Sequence, residues 1–167
     1  TQYLIIKYNF NKEMGAFLSS LTFIGIGLGG IINGYIASKI KKNKPILMYG
    51  NIGSLFCVLS IIYFNHSISI LILLYILFGF FSSSMLLCFS IPLKYTSQKK
   101  HGTVIGFLNT IIIISSVVFQ PLSGYLLNNH YMLNNQLNEM DFQIVFLFLP
   151  ICLIIALIIQ YFIKEKY

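Results

Sequence analysis

Five long apolar stretches, separated by short polar segments, dominate the sequence. They run over residues 14–40, 45–65, 68–93, 102–127 and 142–163. Each has about 20 residues or more, which at 1.5 Å per residue is enough to cross roughly 30 Å of hydrocarbon. The stretches are continuous and show no alternation of apolar and polar positions, which argues against a membrane β-barrel. The pattern predicts an all-α polytopic membrane bundle of five transmembrane helices, in one domain over residues 1–167.

Residues 1–12 precede the first stretch and are too short and too amphiphilic to cross a bilayer. The apolar run from Tyr3 to Ile6 indicates the end of a preceding helix or an external loop. The chain begins with Thr1 and shows neither the basic region nor the cleavage site of a signal peptide. We therefore expect a fragment of a longer protein.

The composition excludes the soluble and the disordered classes of protein. Hydrophobic residues make up 57% of the chain, charged residues make up 9%, and the mean hydropathy is +0.82. A soluble domain has about 25% charged residues, and low hydrophobicity defines a disordered chain. Cys57, Cys88 and Cys152 all fall inside apolar stretches, which indicates small inert side chains rather than disulfides or metal ligands.

The net charge of +7 comes from lysine, since all eleven cationic residues are lysines. A chain this basic suggests nucleic-acid binding, but that function needs a basic face and arginine to contact base edges. The lysines instead cluster between the apolar stretches, as they do in membrane loops. We expect the lipid bilayer, and no nucleic acid, as a partner.

The distribution of lysine predicts the orientation in the membrane. Two lysines, Lys7 and Lys12, lie on one side of the predicted bundle. Nine lie on the other side: Lys39, Lys41, Lys42, Lys44, Lys94, Lys99, Lys100, Lys164 and Lys166. Because cytoplasmic loops are rich in lysine, the side with nine lysines is predicted to be cytoplasmic. The N-terminus is then outside and the C-terminus inside, in the inner (cytoplasmic) membrane of a bacterium.

The first stretch carries glycines at a spacing that favours close helix packing. Gly25 and Gly29 are four positions apart, as are Gly30 and Gly34. Small residues at this spacing let two helices approach closely in lipid. Two interpretations stay open, namely tight packing and a seam along which a neighbouring helix moves.

Polar side chains are concentrated in the first, third and fourth stretches. An amide in hydrocarbon is costly unless it is hydrogen-bonded, so Asn109 and Gln120 should face other helices or a water-filled cavity. Both environments remain open for these two side chains. The candidates for a substrate path are Ser19, Ser20, Thr22, Ser83, Asn109, Thr110 and Gln120.

The cores of the predicted spans contain no Asp, Glu, Lys, Arg or His. Proton relays and side-chain ion sites need such groups at membrane depth, and metal-dependent hydrolysis needs His or carboxylate ligands. His66, His101 and His130 all fall in predicted loops. We expect no catalytic residue, no metal site and no cofactor, which disfavours an enzyme.

The loop after the first stretch resembles a motif of the major facilitator superfamily. The run GYIASKIKKNK, residues 34–44, is similar to Gly-x-x-x-Asp-Arg/Lys-x-Gly-x-basic-basic. Gly34 matches the leading glycine, and Lys39 and Lys44 match basic positions. Ser38 stands where the family has its Asp, and Lys41 stands where it has its second glycine. The conformational lock that the Asp would supply is therefore not implied for this chain.

A second resemblance covers the fourth stretch. The run over residues 101–127 is similar to the eleventh helix of such transporters, which enters with Gly-x-x-x-Gly and exits with Gln-Pro-x-x-Gly. The segment from Asp141 onward looks like the twelfth helix and tail. The resemblance thus implies helices 8 to 12, a partial major-facilitator half. In this family helices 8, 10 and 11, here the first, third and fourth spans, line the substrate path.

The resemblance implies secondary active transport of a small polar solute by alternating access, with a missing N-terminal half as partner. The alternative is a non-transporting truncated fragment, or a half that needs a partner chain, since five spans are predicted against six in a complete half. A membrane-embedded enzyme is a third and disfavoured hypothesis.

Overall fold

The computed structural model describes residues 2–134 and 137–163, and over these residues it contains helices and turns but no strand. Lys164 and Lys166, which contribute to the predicted polarity, lie outside the described residues. The α-helices are α1 (Gln2–Tyr8), α2 (Lys12–Ile40), α3 (Lys44–Tyr63), α4 (Ile68–Ser82), α5 (Ser90–Leu93), α6 (His101–Asn134), α7 (Glu139–Val145) and α8 (Phe148–Phe162).

Five segments are long and apolar enough to cross a membrane. They are Lys12–Ile40, Lys44–Tyr63, Ile68–Leu93, Gln98–Asn129 and Glu139–Phe162. The predicted all-α bundle with five transmembrane helices is confirmed. The fifth span is two helices rather than one, because Pro150 lacks the N–H that would continue the hydrogen bonding of α7 into α8.

The ends of the first two spans follow from local chemistry. The Asn11 side chain caps α2 by accepting a 2.8 Å hydrogen bond from the Met14 backbone N–H. α2 ends at Ile40, and the next residue, Lys41, has left-handed backbone angles, with φ of 57° and ψ of 21°. Pro45 lies in the first turn of α3, where a missing N–H costs nothing.

The third span changes its helix type part-way along. α4 ends at Ser82, a 3₁₀ segment follows over Ser83–Phe89, and α5 completes the span. A 3₁₀ stretch this long is uncommon, because its hydrogen-bond geometry is poorer than that of an α-helix. The change begins at the row of serines, so the polar part of this span is also its irregular part.

The helices pack around α4, which lies between α2 and α3, while α3 also packs against α8. Leu18 and Leu71 are fully buried between α2 and α4, together with Leu4 from α1. α6 is different, because none of the residues in Gln98–Asn129 is buried. Its contacts include α5, α7 and a stacked ring pair, Phe119 with Phe148, at 5.5 Å between centroids.

Candidate functional site

The backbones of α2 and α4 approach each other through Gly25, Gly29 and Gly79, here called the glycine seam. A Cβ on Gly25 would overlap the Ile76 carbonyl oxygen, and one on Gly79 would overlap the Thr22 carbonyl oxygen. A larger residue at either position would push two backbones apart. Glycine is therefore required here by the distance between the helices.

The other predicted small-residue pair lies outside this seam. A Cβ on Gly30 would come within 3.4 Å of the Leu86 side chain, which is a tight but yielding contact. A Cβ on Gly34 would have nothing within 4 Å, and Gly34 lines an open cavity at the end of α2.

Asn33 and Ser83 form a buried polar contact at one end of the glycine seam. The Asn33 amide donates to the Ser83 hydroxyl at 2.9 Å and to the Phe80 carbonyl at 3.2 Å. The Ser83 hydroxyl in turn donates to the Phe80 carbonyl at 2.7 Å. Both side chains are buried, with exposed fractions of 3% and 2%. Ser83, a predicted substrate-path residue, thus forms part of the contact between α2 and the third span.

The remaining candidates on α2 bond or adjoin their own helix. The Ser19 hydroxyl donates to the Gly15 carbonyl at 2.8 Å, and the Ser20 hydroxyl donates to the Phe17 carbonyl at 2.7 Å. Thr22 is half-buried, and its carbonyl packs against Gly79. Bonds of this kind satisfy a hydroxyl locally and leave its oxygen able to accept from a solute.

Asn109, Thr110 and Gln120 lie on α6 and are exposed. The Thr110 hydroxyl donates to the Gly106 carbonyl at 2.9 Å. Gln120 precedes Pro121, which lies inside the helix and cannot donate a backbone hydrogen bond. The structure does not bring these three residues together with Ser83, so the candidates occupy two separate places, the α2–α4 contact and the surface of α6.

A cavity of about 290 Å³ lies among α3, the third span and α8, and its largely apolar lining includes several polar side chains that the sequence did not bring together. The Asn51 amide nitrogen donates to the Leu153 carbonyl at 3.3 Å, and the Ser54 and Ser82 hydroxyls lie 3.2 Å apart. The cavity is also lined by Ser84 and Gln160. The sequence feature that could have indicated this cavity was the pair Asn51 and Ser54, which lie three residues apart and therefore on one face of α3.

A buried lysine organises the end of the bundle where α1 and α7 meet. The Lys7 ammonium is 3.1 Å from the Glu139 carboxylate, and the side chain of Lys7 is only 1% exposed. It also donates to the Tyr3 hydroxyl at 2.9 Å and to the Ile62 carbonyl at 2.8 Å. Gln143 completes the group by donating to Glu139 at 3.0 Å. This ion pair, in which Lys7 is buried and Glu139 is partly exposed, ties α1, α3 and α7 together.

The Tyr3 phenol lies inside the same group and donates to the Ile62 carbonyl. Burial, and then the neighbouring Glu139 carboxylate, raise the pKa of Tyr3 well above its ordinary value. The phenol therefore acts as a hydrogen-bond donor within this group. Sequence patterns missed this group because its members are 136 positions apart, from Tyr3 to Glu139.

The described residues contain no group of three or more His, Cys, Asp or Glu side chains that could hold a metal ion. The His66 ring contacts the Ser60 hydroxyl at 2.9 Å, and the His101 ring contacts the Thr96 carbonyl at 3.2 Å. Both rings thus have local partners in or beside the loops.

A comparison with models of protein families identifies the kind of protein to which this bundle belongs. The model of the Major Facilitator Superfamily matches residues 1–167. The chain belongs to the major facilitator superfamily. No curated protein and no solved structure matches it.

Membership explains the general features of the bundle. Proteins of the major facilitator superfamily are integral membrane proteins that carry out membrane transport, and they are not enzymes. The five apolar spans of this chain agree with a partial bundle of that family.

Proposed function

We propose that this chain is the C-terminal part, helices 8 to 12, of a secondary active transporter that moves a small polar solute by alternating access. The first, third and fourth spans line the solute path, and the second and fifth spans are peripheral. The solute is recognised by neutral hydrogen-bonding groups, with Asn109, Thr110 and Gln120 on α6 as the principal ones.

The observation that carries this proposal is the exposure of α6. It is apolar enough to span a membrane, yet it presents both amides on surfaces that the described chain leaves uncovered. Amides at membrane depth need hydrogen-bond partners, which a solute path or further helices of a transporter would supply. Ser19, Ser20 and Thr22 on α2 are half-buried or exposed and contribute secondary contacts.

Transport by the full-length protein tests the site. Asn109→Ala and Gln120→Ala are each expected to raise the KM for solute by about tenfold, because one hydrogen bond to the solute is lost. Ser115→Ala is the matched control, since Ser115 is an exposed hydroxyl of the same helix that lies away from the face shared by Asn109 and Gln120. Unchanged KM values in both amide variants would remove this assignment.

We propose further that the lysine-rich end faces the cytoplasm, in the inner membrane of a bacterium, with the N-terminus outside. The test is labelling of intact cells with a membrane-impermeant maleimide, after replacement of the three native cysteines. Ser67→Cys should be labelled in intact cells, and Ser97→Cys should be labelled only after permeabilisation. The reverse pattern would overturn this orientation.

A second candidate function is a half that transports nothing without a partner chain. It is favoured by the absence of any buried residue over Gln98–Asn129, because a spanning helix is held by packing against other helices. Liposome uptake separates the candidates. If the 19.0 kDa chain alone gives saturable uptake, the need for a partner is disproved. If the chain gives uptake only together with a second chain, the need for a partner is supported.

A further inference from the structure

The cavity of about 290 Å³ among α3, the third span and α8 is lined by two amide side chains whose oxygens have no hydrogen-bond partner among the described residues. They are Asn51 Oδ1 on α3 and Gln160 Oε1 on α8. Asn51 is only 7% exposed. An acceptor that is buried without a donor costs free energy, so each oxygen needs a donor that the described chain does not supply.

The hydrogen bond from Asn51 to α8 determines which atom of this amide lacks a partner. The Asn51 nitrogen, Nδ2, donates to the Leu153 carbonyl at 3.3 Å. If the amide were turned over, its oxygen would face that carbonyl oxygen, and two acceptors would meet with no proton between them. The oxygen of Asn51 is therefore the atom that needs a donor from another source.

Hydroxyl groups and apolar side chains make up the rest of the lining. The Ser54 and Ser82 hydroxyls lie 3.2 Å apart, so one donates to the other and the second proton remains available to a ligand. The apolar part of the lining includes Leu47, Met85 and Ala156. None of the described lining residues is Asp, Glu, Lys, Arg or His. A buried charge without a counter-charge is costly, so a neutral ligand fits this cavity better than a cation.

We propose that this cavity is a binding site for a small primary amide. The N–H groups of such a molecule donate to the Asn51 and Gln160 oxygens, and its carbonyl accepts from a serine hydroxyl. The cavity volume of about 290 Å³ is close to the lower end of the range for small-molecule sites, about 300 Å³. Binding here is independent of the proposed solute path on α6, because α6 contributes none of the described lining residues.

Two native cysteines allow the cavity to be probed. Cys88 lines it, whereas Cys152 is exposed on α8 and does not line it. Both lie within apolar spans, Ile68–Leu93 and Glu139–Phe162. A thiol reacts as its thiolate, which forms in water and not in hydrocarbon. Because we expect water in a cavity of this size and polarity when no ligand is bound, Cys88 should react faster than Cys152.

The experiment measures the rate at which methyl methanethiosulfonate modifies Cys88 in liposomes, in the full-length protein with every other cysteine replaced by alanine. Intact-protein mass spectrometry follows the reaction. Cys88 should react about tenfold faster than Cys152 in the corresponding single-cysteine protein. Acetamide at about 100 mM should slow the labelling of Cys88 about threefold, an effect within the usual binding efficiency of so small a ligand. N,N-dimethylacetamide is the matched control, because it keeps the carbonyl but has no N–H donor, and it should not protect Cys88.

Two substitutions test the acceptors separately. Asn51→Leu and Gln160→Met each remove one unpartnered oxygen and should each abolish most of the protection by acetamide. Gln160→Met leaves the bond from Asn51 to Leu153 in place, so it tests the site even if Asn51→Leu fails to fold. Equal labelling of Cys88 and Cys152, equal protection by the two amides, or full protection by acetamide in Gln160→Met would each overturn the proposal.

Discussion

The third span, which begins with α4, and the fourth span, which α6 forms, are both apolar enough to cross a membrane, and they differ in how much of their surface the chain covers. α4 is held on two sides, by the glycine seam with α2 and by α3, where Gly50 and Gly53 lie against Ser84 and Phe81. α6 has no buried residue over Gln98–Asn129, and at Gly102, Gly106 and Gly124 an added Cβ would meet nothing within 4 Å.

The contrast shows that the same small-residue spacing has different consequences in different places. Gly25 and Gly29 on α2 pack against another backbone, while Gly102 and Gly106 on α6 pack against nothing in the described chain. In lipid, helix association comes from close packing and interhelical hydrogen bonds rather than from hydrophobicity. An apolar helix that lacks those contacts can still cross a membrane, and its surface remains available for packing against further helices.

The largest expected effect comes from adding one methyl group to each helix. Gly79→Ala should destabilise the full-length protein by about 3 kcal/mol, because the new Cβ would overlap the Thr22 carbonyl. Gly106→Ala should be neutral or slightly stabilising, since alanine favours a helix. Thermal unfolding followed by size-exclusion chromatography measures both. Equal destabilisation would show that α6 has a seam as tight as that of α4, and so remove the contrast.

A smaller loss should follow from weakening α7, which is one of the contacts of α6. Glu139→Gln leaves the buried Lys7 ammonium without its carboxylate and should cost about 2 kcal/mol, less than a fully buried pair because Glu139 is 37% exposed. Lys7→Met removes the buried charge itself and should cost less. The melting temperatures of the two variants give the comparison. If Lys7→Met were the more damaging change, the ion pair would not be what holds this end together.

A double-mutant cycle measures how strongly the Asn33 and Ser83 side chains stabilise the contact between α2 and the third span. Asn33→Ala, Ser83→Ala and the double variant should give a coupling energy of about 1 kcal/mol, within the range measured for hydrogen bonds between membrane helices. Unfolding by heat or by titration with SDS provides the free energy of unfolding of each variant. Strictly additive effects would mean that the 2.9 Å contact contributes nothing of its own.

The smallest effect is expected on α6 itself. The Ser115 hydroxyl bonds the Ile111 carbonyl at 2.9 Å within the same helix. Ser115→Ala should therefore change stability by less than about 0.5 kcal/mol, and it should leave transport unchanged because Ser115 lies away from the helix face shared by Asn109 and Gln120. A marked loss of transport in this variant would place Ser115 on the solute path and extend the proposed site along α6.

The number of spans was predictable because a continuous apolar run has few alternatives to a helix in a membrane. The family was predictable from the runs around Gly34 and Gln120, and the match over residues 1–167 confirms it. The break between α7 and α8 was missed, although Pro150 gave a local signal. The cavity at Asn51 was missed because its lining comes from three separate spans.

By itself the sequence determined that the chain is an all-α membrane bundle of the major facilitator superfamily, because apolar run length and local motifs are properties of neighbouring residues. Only the tertiary structure decided that Ser83 bonds Asn33, that Lys7 is buried against Glu139, and that Gly34 lies outside the glycine seam. These are contacts between residues far apart in sequence. They depend on the relative placement of helices, which spacing along one helix does not specify.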